Sequence, residues 1–441
     1  MNTPIADFVK EYAEKNTARF HMPGHKGKSF LGVEKYDITE IDGADVLSAA
    51  QGIIYESEKN ASSIFNTSHT YYTTQGSTTA IYTMLALVKK QSGVILAARN
   101  VHKSFIHACA ILDMDVQWLL EGKNNTLLKC EVTAKTVEDK ILSMAKKPVA
   151  VYLTSPDYLG NIQNIPEIAE VCVKYDVPLL VDNAHGAYLG FLEKSLHPIH
   201  LGATVCSDSA HKTLPVLTGG AYLHISKNAP AKFLENARTS LTLFSSTSPS
   251  YIILQSLDLC NKYLKYDIKE ELKRCISKIE DLKHFIKEKG FCVLDSEPLK
   301  ITIDCNGSGY KGEELANILR KSNAEPEFYD DRFLVLMLTP QNNDSDFELL
   351  KKVFSDLKPK NPIITKELEI KLPVKKMSVR DAVFSEYETV DVKRCVGRIC
   401  AAPTVSCPPA VPIAVSGEEI TEETAQLFKY YGIDKILVVK E

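Results

Sequence analysis

The run SDSAHKTLPVLTGGAYLH, residues 207–224, sets a lysine directly after a histidine, among small hydroxyl residues and just before a Gly-Gly turn. A lysine amine attacks a carbonyl only when neutral, so burial or a nearby positive charge must bring its pKa down from about 10.4. Ser207, Ser209, His211 and Thr213 could supply donors to a phosphate beside Lys212. The pattern suits a lysine bound through its amine to an aldehyde that also carries a phosphate. The plainer reading is an exposed lysine that ends a strand.

Three further stretches bear on that choice. In VPLLVDNAHGAYLGF an apolar strand, 178–182, ends in Asp182 and turns at Asn183–Gly186. The carboxyl end of such a strand is where open α/β sheets bind ligands. A carboxylate there can keep a pyridine nitrogen protonated, and a protonated ring is the electron sink that carbanion chemistry needs. Ala184 is small enough to lie under a flat ring, and thirty residues separate Asp182 from Lys212, which lets two neighbouring strands end side by side. In TTQGSTTAIYTMLALV, Gly76, Ser77 and Thr78 open a helix, where free N–H groups and hydroxyls form an anion cup. In ARNVHKSFIHA, His102 falls between a strand and a helix, where an imidazole could stack on a planar ring. Capping residues and a surface histidine are the ordinary alternatives.

These residues need a scaffold. From 70 to 225, apolar strands (GVILAAR, PVAVYLT, VPLLVD, ATVCSDS) interleave with helices such as AIYTMLALVKKQ and IPEIAEVCVKYD. That alternation predicts βαβ units around a mainly parallel sheet. The segment 261–290 reads as one long helix with Leu264, Ile268, Leu272, Ile276, Ile279, Leu282 and Ile286 on one face and Gly290 at its end. Strands LKITIDC and RFLVLML with two helices predict a smaller α+β domain, and a Pro- and Lys-rich linker leads to a last unit. The expected division is an arm at 1–60, a large domain at 61–260, a small domain at 261–360, and a linker with a C-terminal α+β domain at 361–441.

The totals exclude several classes. The 441 residues carry a net charge of −4 with both signs interspersed, which supports neither a nucleic-acid nor a membrane-surface role. Hydrophobic residues make up 44% and charged ones 24%, as in ordinary globular chains. The charged N-terminal residues do not read as an export signal, and no apolar run has the length of a membrane span. Eleven scattered cysteines without a C-x-x-C pair suggest reduced thiols and a cytoplasmic setting. Cys395, Cys400 and Cys407 cluster loosely but have no histidine at ligand spacing, so no metal site is expected.

Taken together, PGHKG (23–27), QGSTTA (75–80), RNVHKS (99–104), VDNAHG (181–186), SAHKTLPVLTGGAYLH (209–224) and SSTSPSY (245–251) resemble the fold-type-I pyridoxal-phosphate enzymes. With the tail RDAVF…GRI…PPAVPIAVSGEEIT, the chain resembles the Orn/Lys/Arg decarboxylase family in its short bacterial form without the wing domain. The resemblance implies a large domain like that of aspartate aminotransferase and pyridoxal 5'-phosphate bound to Lys212. It implies that Asp182 pairs with the pyridinium and that Ala184 and His102 sandwich the ring. Gly76, Ser77, Thr78, Ser209 and His211 would hold the phosphate. Ser246 or Thr247 would reach the phosphate of a second copy, which implies a homodimer with shared sites.

The implied reaction is decarboxylation of arginine, lysine or ornithine in polyamine-type metabolism, with Lys212 or His185 returning a proton to Cα. The far end of a basic substrate needs an acid, and Glu418 and then Asp45 are the candidates, with His25 of PGHKG beside the substrate. The chain departs from the family pattern at Ala410 and Ser416, where glycine and proline are usual, and at Ser48, where histidine is common. Two rivals stand beside this reading. One is an aminotransferase with Arg332 clamping the substrate carboxylate, and the other is a catalytically silent cofactor-binding protein.

Overall fold

The computed structural model describes residues 1–89, 93–120, 126–364, 371–405 and 410–441. Cys407 and part of the predicted linker lie outside the described residues. The strands, in chain order, are β1 (His69–Thr73), β2 (Val94–Ala98), β3 (Asp115–Leu119), β4 (Ala150–Thr154), β5 (Leu179–Asp182), β6 (Val205–Asp208) and β7 (Ala221–Ile225). After them come β8 (Cys292–Leu294), β9 (Lys300–Asp304), β10 (Phe328–Tyr329), β11 (Phe333–Met337), β12 (Tyr387–Asp391), β13 (Thr404–Val405), β14 (Pro412–Ala414) and β15 (Lys435–Val439).

The chain forms two units. The first comprises Met1–Lys89 and Ile165–Glu271 and carries strands in the order β1-β7-β6-β5. β5 and β6 are parallel, with Asp182 opposite Ser207, while β7 runs antiparallel to both β6 and β1. β5 and β6 are buried throughout; in β5 this matches the apolar run LLV before Asp182, whereas β6 buries Ser207 and Asp208 after Val205 and Cys206. The helix Ser77–Val88 packs on β6 and β7 and buries Ala80, Ile81, Met84, Leu85 and Val88 at helical spacing.

The expected N-terminal arm contains a helix, Pro4–Glu14, which opens on a proline as helices tolerate. Its Ile5 and Ala6 N–H groups donate to Asp258 Oδ2 at 2.9 and 3.0 Å. The predicted long helix is two: Tyr251–Tyr266 and Ile268–Glu288, separated at Asp267. The buried stripe of the second runs Ile268, Leu272, Cys275, Ile279, Leu282, Ile286, so Cys275 takes the place expected for Ile276. Steps of four and three keep a 3.6-residue period on one face. Gly290, at φ +89°, follows its end as expected.

The second unit comprises Lys90–Asn164 and Leu272–Glu441. It holds the parallel strands β4-β2-β3 and an antiparallel sheet, β10-β11-β9-β8, with the helices Gly312–Lys321 and Asp344–Asp356. Its C-terminal part pairs β12 with β15 and β13 with β14 around a core of Cys395, Cys400, Ile413, Ile420, Phe428 and Val438. The Cys395 and Cys400 thiols donate to the carbonyls of Val392 and Ala402, as buried core thiols do. No helix among the described residues is long and apolar enough to cross a membrane.

Candidate active site

β5 and β6 end together, and each delivers a reactive side chain. Asp182, the last residue of β5, is 2% exposed, and its Oδ1 accepts from Ala184 N–H at 3.2 Å and Ser207 Oγ at 3.4 Å. No α-helix intervenes between β5 and β6, only two 3-10 turns, Ala187–Phe191 and Pro198–Leu201. Lys212 follows β6 on the single helical turn Ala210–Thr213. Its Nζ lies 3.0 Å from Nε2 of His185, which sits on the turn after Asp182. The sequence therefore brought Asp182, Ala184, His185 and Lys212 to one end of two adjacent strands, as their spacing required.

The helix expected after Gly76 starts where the sequence placed it. Gly76 precedes the helix Ser77–Val88 at φ +73°, and its N–H donates to Gly219 O at 2.7 Å. A Cβ placed on Gly76 would meet no atom within 4 Å, so the helix N-terminus opens onto free space. Ser209 Oγ donates to Ser77 Oγ at 2.9 Å, joining the hydroxyl that follows β6 to the one that opens the helix. His211 Nδ1–H donates to Gly220 O at 2.9 Å. Burial holds this imidazole below its usual pKa, against the pull of the Gly220 carbonyl and with help from the Lys212 charge. An amine, a carboxylate at a strand end and an open helix N-terminus edged by hydroxyls form a donor set that fits a phosphorylated aldehyde with a ring nitrogen.

One part of this region was not foreseen. Asp208, the last residue of β6, is wholly buried, and its Oδ2 accepts from His197 Nε2 at 2.8 Å and His224 Nε2 at 3.1 Å. Its Oδ1 accepts from Asn183 Nδ2 at 2.7 Å and more weakly from the Cys206 thiol. Burial opposes the Asp208 charge, but His197 and His224 outweigh it and hold the carboxyl well below the usual range. His224 is pushed below its usual value by burial, so it serves as a neutral N–H donor, with Nδ1 accepting from the Thr70 hydroxyl at 2.9 Å. His197 Nδ1 accepts from Ile199 N–H at 3.2 Å. The three side chains His197, Asp208 and His224 lie close enough together to hold a metal ion. Each imidazole nitrogen already has a hydrogen-bond partner, so the cluster is a closed network.

Elsewhere the candidates found partners of their own. In the second unit, His102 caps the helix Lys103–Leu112, and its Nδ1 accepts from Ser104 N–H at 3.1 Å. Glu418 is 4% exposed and faces Arg99, at 3.4 Å from Nη2, while Val415 N–H donates to its Oε2 at 2.8 Å. Arg99 also donates to Pro412 O and Ile413 O at 2.8 and 3.2 Å. A buried carboxylate with its own guanidinium is committed to the fold, which argues against its expected role at the far end of a substrate.

Asp45 is committed too. Its carboxylate accepts from the N–H groups of Val46, Gln51, Gly52, Ile54 and Tyr55, three of them at the start of the helix Ile53–Phe65. His25 pairs with Asp37 Oδ2 at 3.2 Å and accepts from Gly27 N–H at 3.0 Å. Arg332 donates through Nε and Nη2 to Asp304 Oδ2 at 3.2 and 2.8 Å, which occupies the guanidinium that an aminotransferase would need. Ser246 and Thr247 lie exposed beyond the helix Ala231–Phe244, with Ser246 N–H on Gln75 Oε1 at 3.1 Å.

Comparison with known proteins places this geometry. The arginine decarboxylase of Bacillus subtilis (strain 168) is 27% identical over 460 residues, covering 97% of this chain and 93% of its own. A second protein of that organism, the uncharacterized YaaO, is 28% identical over 452 residues with the same coverage. Among solved structures, the constitutive lysine decarboxylase of Escherichia coli superposes with a TM-score of 0.79 at 19% identity, over 100% of this chain and 82% of the other. The lysine decarboxylase LdcF of Francisella novicida gives 0.83 at 17%, over 99% and 81%. The fold is thus the fold-type-I arrangement that the sequence led us to expect, with its added C-terminal domain. Residues 3–303 match the model described as Orn/Lys/Arg decarboxylase, major domain, and residues 363–435 match the C-terminal domain of that name. Since the first match alone spans well over half its length, the chain belongs to the Orn/Lys/Arg decarboxylase family.

Proposed function

We propose that this protein decarboxylates a basic amino acid, arginine first among the candidates, using pyridoxal 5'-phosphate held at Lys212. The observation that carries the reading is the meeting of Lys212 and His185 at 3.0 Å beside the strand end that bears Asp182. The relatives named arginine decarboxylase support the substrate class. When bound, the cofactor supplies an electron sink for the carbanion left by loss of CO2.

The chain's residues do the rest. Lys212 holds the aldehyde carbon and yields it to the substrate amine. Asp182 keeps a proton on the ring nitrogen. Ser77, Thr78, Ser209 and the N-terminus beyond Gly76 neutralise the phosphate, with His211 beside them, and Ala184 contacts the flat ring. His185 and Lys212 hold the proton that Cα receives after its carboxylate bond breaks. We further propose that the protein is a cytoplasmic homodimer in which Ser246 or Thr247 reaches the second copy's phosphate, and that its amine product feeds polyamine-type metabolism.

The test is a product assay on purified protein supplied with pyridoxal phosphate and, separately, arginine, lysine or ornithine. CO2 together with agmatine, cadaverine or putrescine is the expected result, and a keto acid would favour the aminotransferase. Borohydride reduction and peptide mapping should place a pyridoxyl group on Lys212. A labelled Lys212 without turnover on any of the three would leave a silent cofactor-binding protein.

A further inference from the structure

The turn Asp182–Gly186 carries three of the proposed site residues, yet its own conformation depends on a residue given no role so far. Asn183 is wholly buried. Its N–H donates to Ser207 O at 2.9 Å, and its carbonyl accepts from Gly186 N–H at 2.8 Å, closing the turn around His185. Its side chain points the other way, where Nδ2 donates to Asp208 Oδ1 at 2.7 Å. Asn183 Oδ1 makes no hydrogen bond and lies against Gly186, where an added Cβ would sit only 1.9 Å from it. Glycine at 186 is therefore required by this side chain.

We propose that Asn183, held by Asp208, is a positioning residue that sets the His185 imidazole against the Lys212 amine. Asp208 can do this because it is fixed from two other sides, by His197 on a 3-10 turn and by His224 on β7. The chain of contacts runs from the buried carboxylate to Asn183, through the closed turn, to the 3.0 Å approach of His185 Nε2 and Lys212 Nζ. Asp208 also leads directly into Ser209 and the helical turn that bears Lys212, so both partners are aligned from one buried anion. A displaced imidazole no longer exchanges a proton with Lys212, and the amine attacks the aldehyde only in its neutral form.

This inference rests on Lys212 being the residue that takes the cofactor. The experiment uses the cofactor-free protein and follows the visible absorbance that grows as pyridoxal phosphate condenses with Lys212, without any substrate. Asn183→Ala should slow this condensation at least tenfold, and His185→Gln should slow it to the same degree. The double variant should be no slower than either single one, because both changes break the same link. Gly186→Ala, which forces the Asn183 side chain aside, should reproduce the defect.

Two results would overturn the proposal: condensation at the wild-type rate in Asn183→Ala, whatever its thermal midpoint, or fully multiplicative effects in the double variant. Wild-type protein that forms no absorbance at all would instead remove the functional reading beneath it.

Discussion

Lys212 Nζ and His185 Nε2 share a line of 3.0 Å, with one residue on the turn after β5 and the other on the turn after β6. An amine and an imidazole at that distance can pass a single proton between them. His185→Gln keeps a polar group there but removes the titrating one. We expect kcat to fall about 10²–10⁴-fold, the range for loss of a general acid or base. KM should stay within about threefold, and steady-state rates with the preferred substrate are the check.

His211 makes a separate prediction about acid. Burial holds its pKa below the ordinary histidine value, so the unfolded chain binds a proton that the folded chain resists. Stability is therefore lost as pH falls through about 6.5. His211→Asn keeps a donor for the Gly220 carbonyl and removes the titration. Urea unfolding of cofactor-free protein at pH 7.5 and 5.5 should show a smaller loss in the variant, and parallel losses in the two proteins would contradict the assignment.

The sequence disclosed the parallel strands and the reactive ends of β5 and β6 because long apolar runs can only be buried, and their last residues then project from the sheet edge. β1 and β7 escaped notice. β1 reads HTYYT, polar enough to pass for a loop, and β7 reads AYLHI, a short run directly after a Gly-Gly turn, yet every residue of both is buried. Some of their polar atoms bond partners remote in sequence: Thr70 and His224 are 154 residues apart and bond at 2.9 Å. Periodicity within a window cannot report such pairs. The same reason hid Asp208, which looks like one more acid before SAHK until His197 and His224 are seen to close on it. Glu418 and Asp45 show partners that the sequence did not reveal. Both had the right charge for a basic substrate, but Arg99 and a helix N-terminus claim them.

Ala410 stands where the family pattern has glycine, and its φ is +58°. That left-handed conformation directs its carbonyl to Lys103 N–H at 2.9 Å, next to His102. A non-glycine residue there is strained by roughly 1–2 kcal/mol, partly offset because glycine loses more entropy on folding. Ala410→Gly should therefore stabilise the protein by about 0.5–1 kcal/mol, measured by chemical denaturation. A loss of stability would mean that the Ala410 methyl group packs more favourably than its backbone is strained.

Glu418 and Arg99 form a buried pair, so removing one partner leaves the other charge stranded. Glu418→Ala should cost about 3–5 kcal/mol of unfolding free energy. For molecules that remain folded, KM for the amino acid should be unchanged. A raised KM in a variant of near wild-type stability would return Glu418 to the substrate site.

Asp208 is the buried anion on which three donors converge: His197, His224 and Asn183. Asp208→Ala strands all three at once, and each unsatisfied buried donor costs about 1–3 kcal/mol. Asp208→Asn is gentler, because its oxygen can still accept on one side, although its new N–H₂ then faces either the Asn183 amide N–H₂ or both imidazole N–H groups, which must reorient or change tautomer. The order of stability should thus be wild type, then Asp208→Asn, then Asp208→Ala, with the last about 3–5 kcal/mol below the first. The folded carboxyl is held below its ordinary pKa, so this stabilisation is present above about pH 4 and is lost as the wild type is acidified below that. The wild-type advantage over Asp208→Asn should accordingly shrink with acid, and denaturation curves at pH 7 and at about pH 2.5 would show it. An advantage that persisted undiminished in acid, down to the folded pKa and below, would mean that the network is held by shape and that the charge on Asp208 contributes nothing to it.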